Sequence, residues 1–253
     1  MSQRGPVLPD SVTIEPAYGT APSPVRDLAT VDVWHAQLGM APERLRTLSQ
    51  CLNSNEHARA TRFHFDQHRA RFIAGRGLLR HLLSRYLNEP PERIRFAYGS
   101  RGKPFLLEYP DLHFNLSHAA DMLLIGVAHG RRLGVDVEPV PSDDVGDSAS
   151  GIVFSAAERR ALQGLAAARR REFFAQLWTR KEAYIKADGR GMSIPLDHLD
   201  TSIVPGRMLL LNDTCDQWVA CSRWTLVSLP VGDGYVGAIA AEGDWQFSRH
   251  DLE

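Results

Sequence analysis

Arg71-Phe-Ile-Ala-Gly-Arg-Gly-Leu-Leu-Arg80 and Glu172-Phe-Phe-Ala-Gln-Leu-Trp-Thr-Arg-Lys181 belong to two long helices, each with phenylalanine near its start. Apolar residues return in both with the period of a single buried helix face. The first helix is read from about Gln67 to Leu87, where Pro90 and Pro91 stop it. The second is read over Arg170–Ala187, with Gly189 and Gly191 supplying a C-cap and a turn. Strand-like segments follow each helix: Arg93–Tyr98, Pro104–Leu107, His113–Leu116, Met122–His129 and Leu133–Val137 after the first, Trp218–Ala220, Trp224–Leu229 and Tyr235–Ala241 after the second. Identities between the halves are few. A long helix on a small, mostly antiparallel sheet, occurring twice, predicts an α+β fold of two similar, pseudo-duplicated halves. The alternation of helix and strand is too irregular for a doubly wound parallel sheet.

Outside these helices, Val31–His35 alternates like a strand, and helical patterning covers 41–52, 54–63 and 155–165. Ser155-Ala-Ala-Glu158 has the form of a capping box, serine accepting backbone N–H bonds and glutamate reaching back. Residues 1–25, rich in proline, are expected to be extended or disordered, 26–120 to form the N-terminal half and 121–253 the C-terminal half. The formal net charge of −1 gives no reason to expect nucleic-acid binding. A crowd of arginines at Arg59, Arg62, Arg69, Arg71, Arg76, Arg80 and Arg85 suits a small anionic ligand instead. Arg69, Arg76 and Arg80 share one helical stripe and read as a mostly solvated flank. Three cysteines without metal-ligand or disulfide spacing favour a reducing compartment. With no membrane-length apolar run and no signal-peptide pattern, a cytoplasmic protein is expected.

Three segments carry chemistry. In Leu133-Gly-Val-Asp-Val-Glu-Pro139, alternation sends Asp136 and Glu138 to one side of a strand and Val135 and Val137 to the other. Paired carboxylates repel, so one protonates or a cation sits between them, and oxygen-only ligands suit magnesium. Taken alone, a strand end running into solvent explains this pair as well. On the helix after Phe173, Phe174, Leu177, Trp178, Tyr184 and Ile185 form an apolar arc with Lys181 near its middle and Glu182 at its edge. Lys186 follows Glu182 one turn later. A lysine in a buried face needs an anion, either an internal carboxylate or one brought by a ligand. The third segment is Gly99-Ser-Arg-Gly-Lys103-Pro104 with Phe114-Asn-Leu-Ser117-His118, a lysine-bearing turn and a strand ending in hydrogen-bonding side chains. Phosphate binding, a solvated hairpin tip for Lys103 and a satisfied buried His118 all remain open on spacing alone. Walker A and Gly-x-Gly-x-x-Gly patterns are absent.

Together, Arg62-Phe63, Gly102-Lys-Pro104, Phe114-Asn-Leu-Ser-His118, Gly134-Val-Asp-Val-Glu138 and Trp178-Thr-Arg-Lys-Glu-Ala-Tyr-Ile-Lys186, in this order and spacing, resemble the Sfp-type 4'-phosphopantetheinyl transferases. The resemblance spans about Val31 to Met192. It implies two similar halves with the active site in the cleft between them. It also implies magnesium held by Asp136, Glu138 and Glu182, with coenzyme A as co-substrate. Lys103, Pro104, Ser117 and His118 would line the coenzyme A site, Lys103 and His118 at its 3'-phosphate, with Arg59, Arg62 and Arg71 near the adenosine end. Lys181 and Lys186 would meet the pyrophosphate. Glu56 departs from relatives that carry lysine there. Glu182 would be the base, with Lys186 and Asp136 as its catalytic partners. The implied reaction moves phosphopantetheine onto a serine of an acyl or peptidyl carrier protein, in fatty-acid, polyketide or nonribosomal-peptide synthesis, by a monomeric enzyme. A rim near Arg190 and Met192 would receive the carrier. A magnesium-dependent phosphoanhydride hydrolase acting on coenzyme A and a catalytically silent coenzyme A-binding module are the rival readings.

Overall fold

A computed structural model describes residues 28–143, 153–191, 195–201, 209–212, 217–220 and 224–252. The N-terminal segment 1–25, Cys215, Cys221 and Met192 lie outside the described residues. The elements are β1 (Thr30–Gln37), α1 (Pro42–Gln50), α2 (Ser54–Ala60), α3 (Asp66–Leu87), β2 (Phe96–Tyr98), β3 (Pro104–Leu106), β4 (Leu112–Ala119), β5 (Met122–His129) and β6 (Leu133–Pro139). They continue with α4 (Ala156–Gln163), α5 (Ala167–Asp188), β7 (Leu199–Asp200), β8 (Leu209–Asn212), β9 (Gln217–Ala220), β10 (Trp224–Leu229), β11 (Tyr235–Glu242) and β12 (Gln246–Asp251).

Side-chain alternation explains how these elements stack. One sheet has the order β12-β1-β5-β4, and a second has the order β10-β11-β6. Strand β5 is apolar on both faces because it is buried on both. Leu123, Ile125 and Val127 pack under α3 with Leu78, Leu79, Leu82 and Leu83. Met122, Leu124 and Ala128 pack against Val135, Val137, Leu229 and Ile239 of the second sheet. The far face of that sheet, with Ala238, Ala240, Trp224 and Leu226, receives Ala183, Tyr184, Ile185 and Ala187 of α5. The order of layers is therefore helix, sheet, sheet, helix, a mixed α+β architecture as expected. Among the described residues, no helix is long and apolar enough to cross a membrane.

Two details depart from the sequence reading. Strand β5, assigned above to the second half, pairs antiparallel with β1 and β4 and so belongs to the first sheet. Strand β12, which was not anticipated, pairs parallel with β1 and carries the chain end back to that sheet.

Both long helices end as their sequences dictate. Gly189 adopts a left-handed conformation at φ 83° and donates to the Ile185 carbonyl at 2.9 Å. Asn88 does the same work for α3 at φ 52°. Ser155 and Glu158 form the expected capping box, and Asn53 and Glu56 form a second one at α2.

Candidate active site

The site forms where two sheet edges meet. β4 and β6 are both edge strands, and no ladder joins them. Side chains close the seam instead. Asn115 Oδ1 accepts from the Val135 N–H at 2.9 Å, and the Ser117 hydroxyl donates to Asp136 Oδ1 at 2.9 Å. Gly134 brings α5 down onto β6. A Cβ there would lie 2.2 Å from the Ala183 carbonyl oxygen and 2.3 Å from the Ala187 nitrogen. Only glycine permits that approach, and the approach sets the Glu182–Lys186 turn against the Asp136 face of β6.

Lys186 donates to Asp136 Oδ1 at 2.6 Å and to Ser117 Oγ at 2.9 Å. Strand, strand and helix thus meet at three polar groups. Asp136 is 2% exposed, and its second oxygen, Oδ2, is buried with no hydrogen-bond partner. Burial pushes the Asp136 carboxyl up, against the pull of Lys186 and Ser117. Burial and then the charge of Asp136 push Glu138 and Glu182 up as well. The three carboxylates therefore feel one another across the β6–α5 junction, as the strand alternation implied for the first two. Among the described residues, no three acidic, histidine or cysteine side chains already stand as a gathered metal-ligand set. The donor chemistry still fits a hard divalent cation, because an orphaned buried carboxylate oxygen and two mutually repelling neighbours offer oxygen only.

Other site residues fall differently. Lys181 is fully buried and is not available to a pyrophosphate. Its ammonium sits 2.6 Å from Glu158 Oε2 and donates to the carbonyls of Val153, Leu196 and Leu199 at 2.8, 2.7 and 2.7 Å. An ammonium has three N–H donors, and all are used. The anion it needs is internal, which corrects the substrate role given to it above. Lys103 donates to the carbonyls of Leu133 and Lys186 at 2.9 and 2.5 Å, so it clamps the β2–β3 hairpin to the seam. Burial, and then Arg132, lower it to about 8. Pro104 pairs with Tyr98 in that hairpin.

Ser117 and His118 point to opposite faces of β4. Ser117 joins Asp136, whereas His118 is exposed. The surrounding protein, then Lys186 and Arg71, hold the His118 imidazole below its usual range. Arg71 pairs with Asp121 at 2.7 Å. Arg59 and Arg62 line a cavity of about 450 Å³ together with Phe72, Arg76 and Phe96. The arginine stripe is not a solvated flank throughout, since Arg80 is fully buried and Arg76 is 7% exposed. Both face Glu56, itself 4% exposed, which holds them in place of solvent. Arg190 pairs with Asp188 at 2.5 Å. Sequence reasoning missed Asn115 and Glu158. Asn115 lay inside a quoted motif, and Glu158 was seen only as a cap.

Two family models match the chain: the 4'-phosphopantetheinyl transferase superfamily over residues 132–240, and the 4'-phosphopantetheinyl transferase N-terminal domain over residues 39–129. The 4'-phosphopantetheinyl transferase HetI of Nostoc sp. is 36% identical over 85% of this chain and 90% of its own length. The 4'-phosphopantetheinyl transferase Sfp of Bacillus subtilis is 28% identical over 58% of this chain and 64% of its own. The L-aminoadipate-semialdehyde dehydrogenase-phosphopantetheinyl transferase of Xenopus laevis is 29% identical over 63% of this chain and 57% of its own. Among solved structures, a holo-(acyl-carrier-protein) synthase from Bacillus anthracis aligns with 44% of this chain at 18% identity and a TM-score of 0.32, too loose a match to bear on the fold. With relatives of this identity and coverage, and with both family models lying end to end along it, the chain belongs to the 4'-phosphopantetheinyl transferase superfamily.

Proposed function

We propose that the chain transfers the 4'-phosphopantetheine group of coenzyme A to a serine of an apo acyl or peptidyl carrier protein, releasing adenosine 3',5'-bisphosphate. The observation that carries this reading is the meeting of Asp136, Ser117 and Lys186 at the β4–β6–α5 seam, with Glu138 and Glu182 in electrostatic contact. Magnesium held by Asp136, Glu138 and Glu182 would supply positive charge to the diphosphate.

The chain's own groups supply the rest. The carrier serine oxygen attacks the β-phosphorus, forming one P–O bond as the bond to the bridging oxygen breaks. Lys186 stabilises the negative charge that grows on the diphosphate, an electrostatic contribution that is strongest in a water-poor seam. Glu182, beside Asp136 at the seam, takes the serine proton. Lys103 holds the hairpin, β6 and α5 in register. Its remaining N–H, with His118 on the outer face of β4, would meet a phosphate of the substrate. The seam is the floor of the substrate cleft between two similar halves, and the enzyme acts as a cytoplasmic monomer whose rim near Arg190 meets the carrier.

Mass spectrometry of apo-carrier proteins incubated with the enzyme, coenzyme A and magnesium tests the reaction. A gain of one phosphopantetheine on a serine is expected. Release of adenosine 3',5'-bisphosphate without carrier modification would favour hydrolysis and defeat the proposal.

A further inference from the structure

A cavity of about 770 Å³ opens at the end of the sandwich, where β1 runs into α1. The β1–α1 turn, the start of β5, the β10–β11 turn and the end of β12 wall it. None of the side chains assigned above to transfer lines it. Its floor is apolar: Met122, Val231 and Leu252 are buried there, with Met40 half-buried beside them. Methionine is unbranched and polarisable, so two of them can reshape around an alkyl chain.

The rim is charged, and its charges are not matched. His35, Arg44, Arg249 and Asp251 line it. His35 and Asp251 are committed to each other and to the chain end. His35 Nδ1 donates to the His250 carbonyl at 2.8 Å, and its Nε2 lies 2.7 Å from Asp251 Oδ1. The two arginines have no such partner. Arg249 Nη2 meets an imidazole nitrogen, His35 Nε2 at 3.2 Å, in place of a carboxylate. Arg44 is half-buried and forms no ion pair among the described residues. With histidine neutral, two guanidiniums against the Asp251 carboxylate leave one positive charge at this rim. A carboxylate balances that charge, whereas a phosphate monoester, at about −1.5 to −2, overshoots it. A guanidinium fork also matches a carboxylate through two parallel N–H bonds.

We propose that this cavity is a second ligand site, one that binds an amphipathic carboxylate: a single carboxyl group carried on an alkyl chain. Arg249 and Arg44 hold the carboxyl group, and the chain lies against Met40, Met122 and Val231. The site does not depend on the transferase reading.

Octanoate is the probe, titrated into the full chain with methyl-labelled methionine and followed by NMR. The Met40 and Met122 methyl resonances, assigned with Met40→Leu and Met122→Leu, should shift together and saturate. Acetate supplies the head without the chain, octanol the chain without the charge, and octylamine the chain with the opposite charge. Each should bind roughly tenfold or more weakly than octanoate, and octyl phosphate should bind no more tightly. Arg249→Gln and Arg44→Gln should each raise Kd for octanoate by roughly tenfold, the loss of a charge-assisted hydrogen bond. Gln37→Glu, exposed at the same lining, should also raise it by supplying the missing negative charge from within. Because neither arginine forms an ion pair among the described residues, these variants should melt close to wild type; should one fail to fold, the head-group series on wild type decides. No saturable shift with octanoate, shifts confined to other methionines, equal affinity for octanol, tighter binding of octyl phosphate, or an unchanged Kd in both arginine variants would overturn the proposal.

Discussion

Lys181→Met separates a structural lysine from a substrate-binding one. Lys181 and Glu158 are both fully buried and 2.6 Å apart. Removing one partner of such a pair costs about 3–5 kcal/mol, because the other charge stays buried without compensation. Three carbonyls also lose their donor. Glu158 keeps the Ser155 and Thr201 N–H groups and the Thr201 hydroxyl, which limits the damage. A total near 5 kcal/mol follows, or a fall in Tm of roughly 10–20 °C for a chain of this size. Urea and thermal unfolding measure the loss. The double variant Lys181→Met/Glu158→Gln should recover about half of it, since no bare charge then remains. At a temperature where the single variant is still folded, KM for coenzyme A should stay close to wild type. A Lys181→Met protein as stable as wild type but with weakened coenzyme A binding would refute the assignment and return Lys181 to the substrate.

Three further outcomes are expected. Gly134→Ala drives a methyl into the α5 backbone, so it should cost on the order of 1–3 kcal/mol or more in a urea melt and reduce turnover by shifting Lys186; an unchanged melt would contradict the packing. Lys103 is held near 8 in the fold against an ordinary 10.5. Between those values the unfolded chain holds a proton that the folded chain has lost, so stability should rise with pH across that window and flatten in Lys103→Met. A wild type whose stability is flat over the same window would contradict the buried clamp. Magnesium at about ten times its Kd should raise Tm by roughly 3–6 °C through linkage, and Asp136→Asn should abolish both that shift and most turnover; an equal shift in the variant would remove Asp136 from the ion's ligands.

Much of this site was readable because its geometry is local. Strand alternation fixes Asp136 and Val135 on opposite faces, and a helical wheel fixes Glu182 and Lys186 one turn apart. The buried position of Lys181 was equally readable. Its partner was not, because Glu158 reaches it from another helix, and nothing in a periodic pattern records long-range pairing. The same blindness explains Arg76 and Arg80. A charged stripe normally marks a solvated face, and only the fold brings Glu56 of α2 against it. Strand β12 carries little apolar pattern because it is a polar edge strand. It is held by parallel pairing to β1 and by the His250–Asp32 and Trp34–His250 contacts. The placement of β5 failed for a related reason, since a strand buried on both faces does not say which sheet it joins.

The most direct test of the account is a crystal structure with coenzyme A and manganese, read by anomalous scattering. One cation is expected within ligating distance of Asp136 Oδ2, with Glu138, Glu182 and a diphosphate oxygen also in its shell and Lys186 on the same diphosphate. A cation bound elsewhere, or a diphosphate lying away from Lys186, would contradict it.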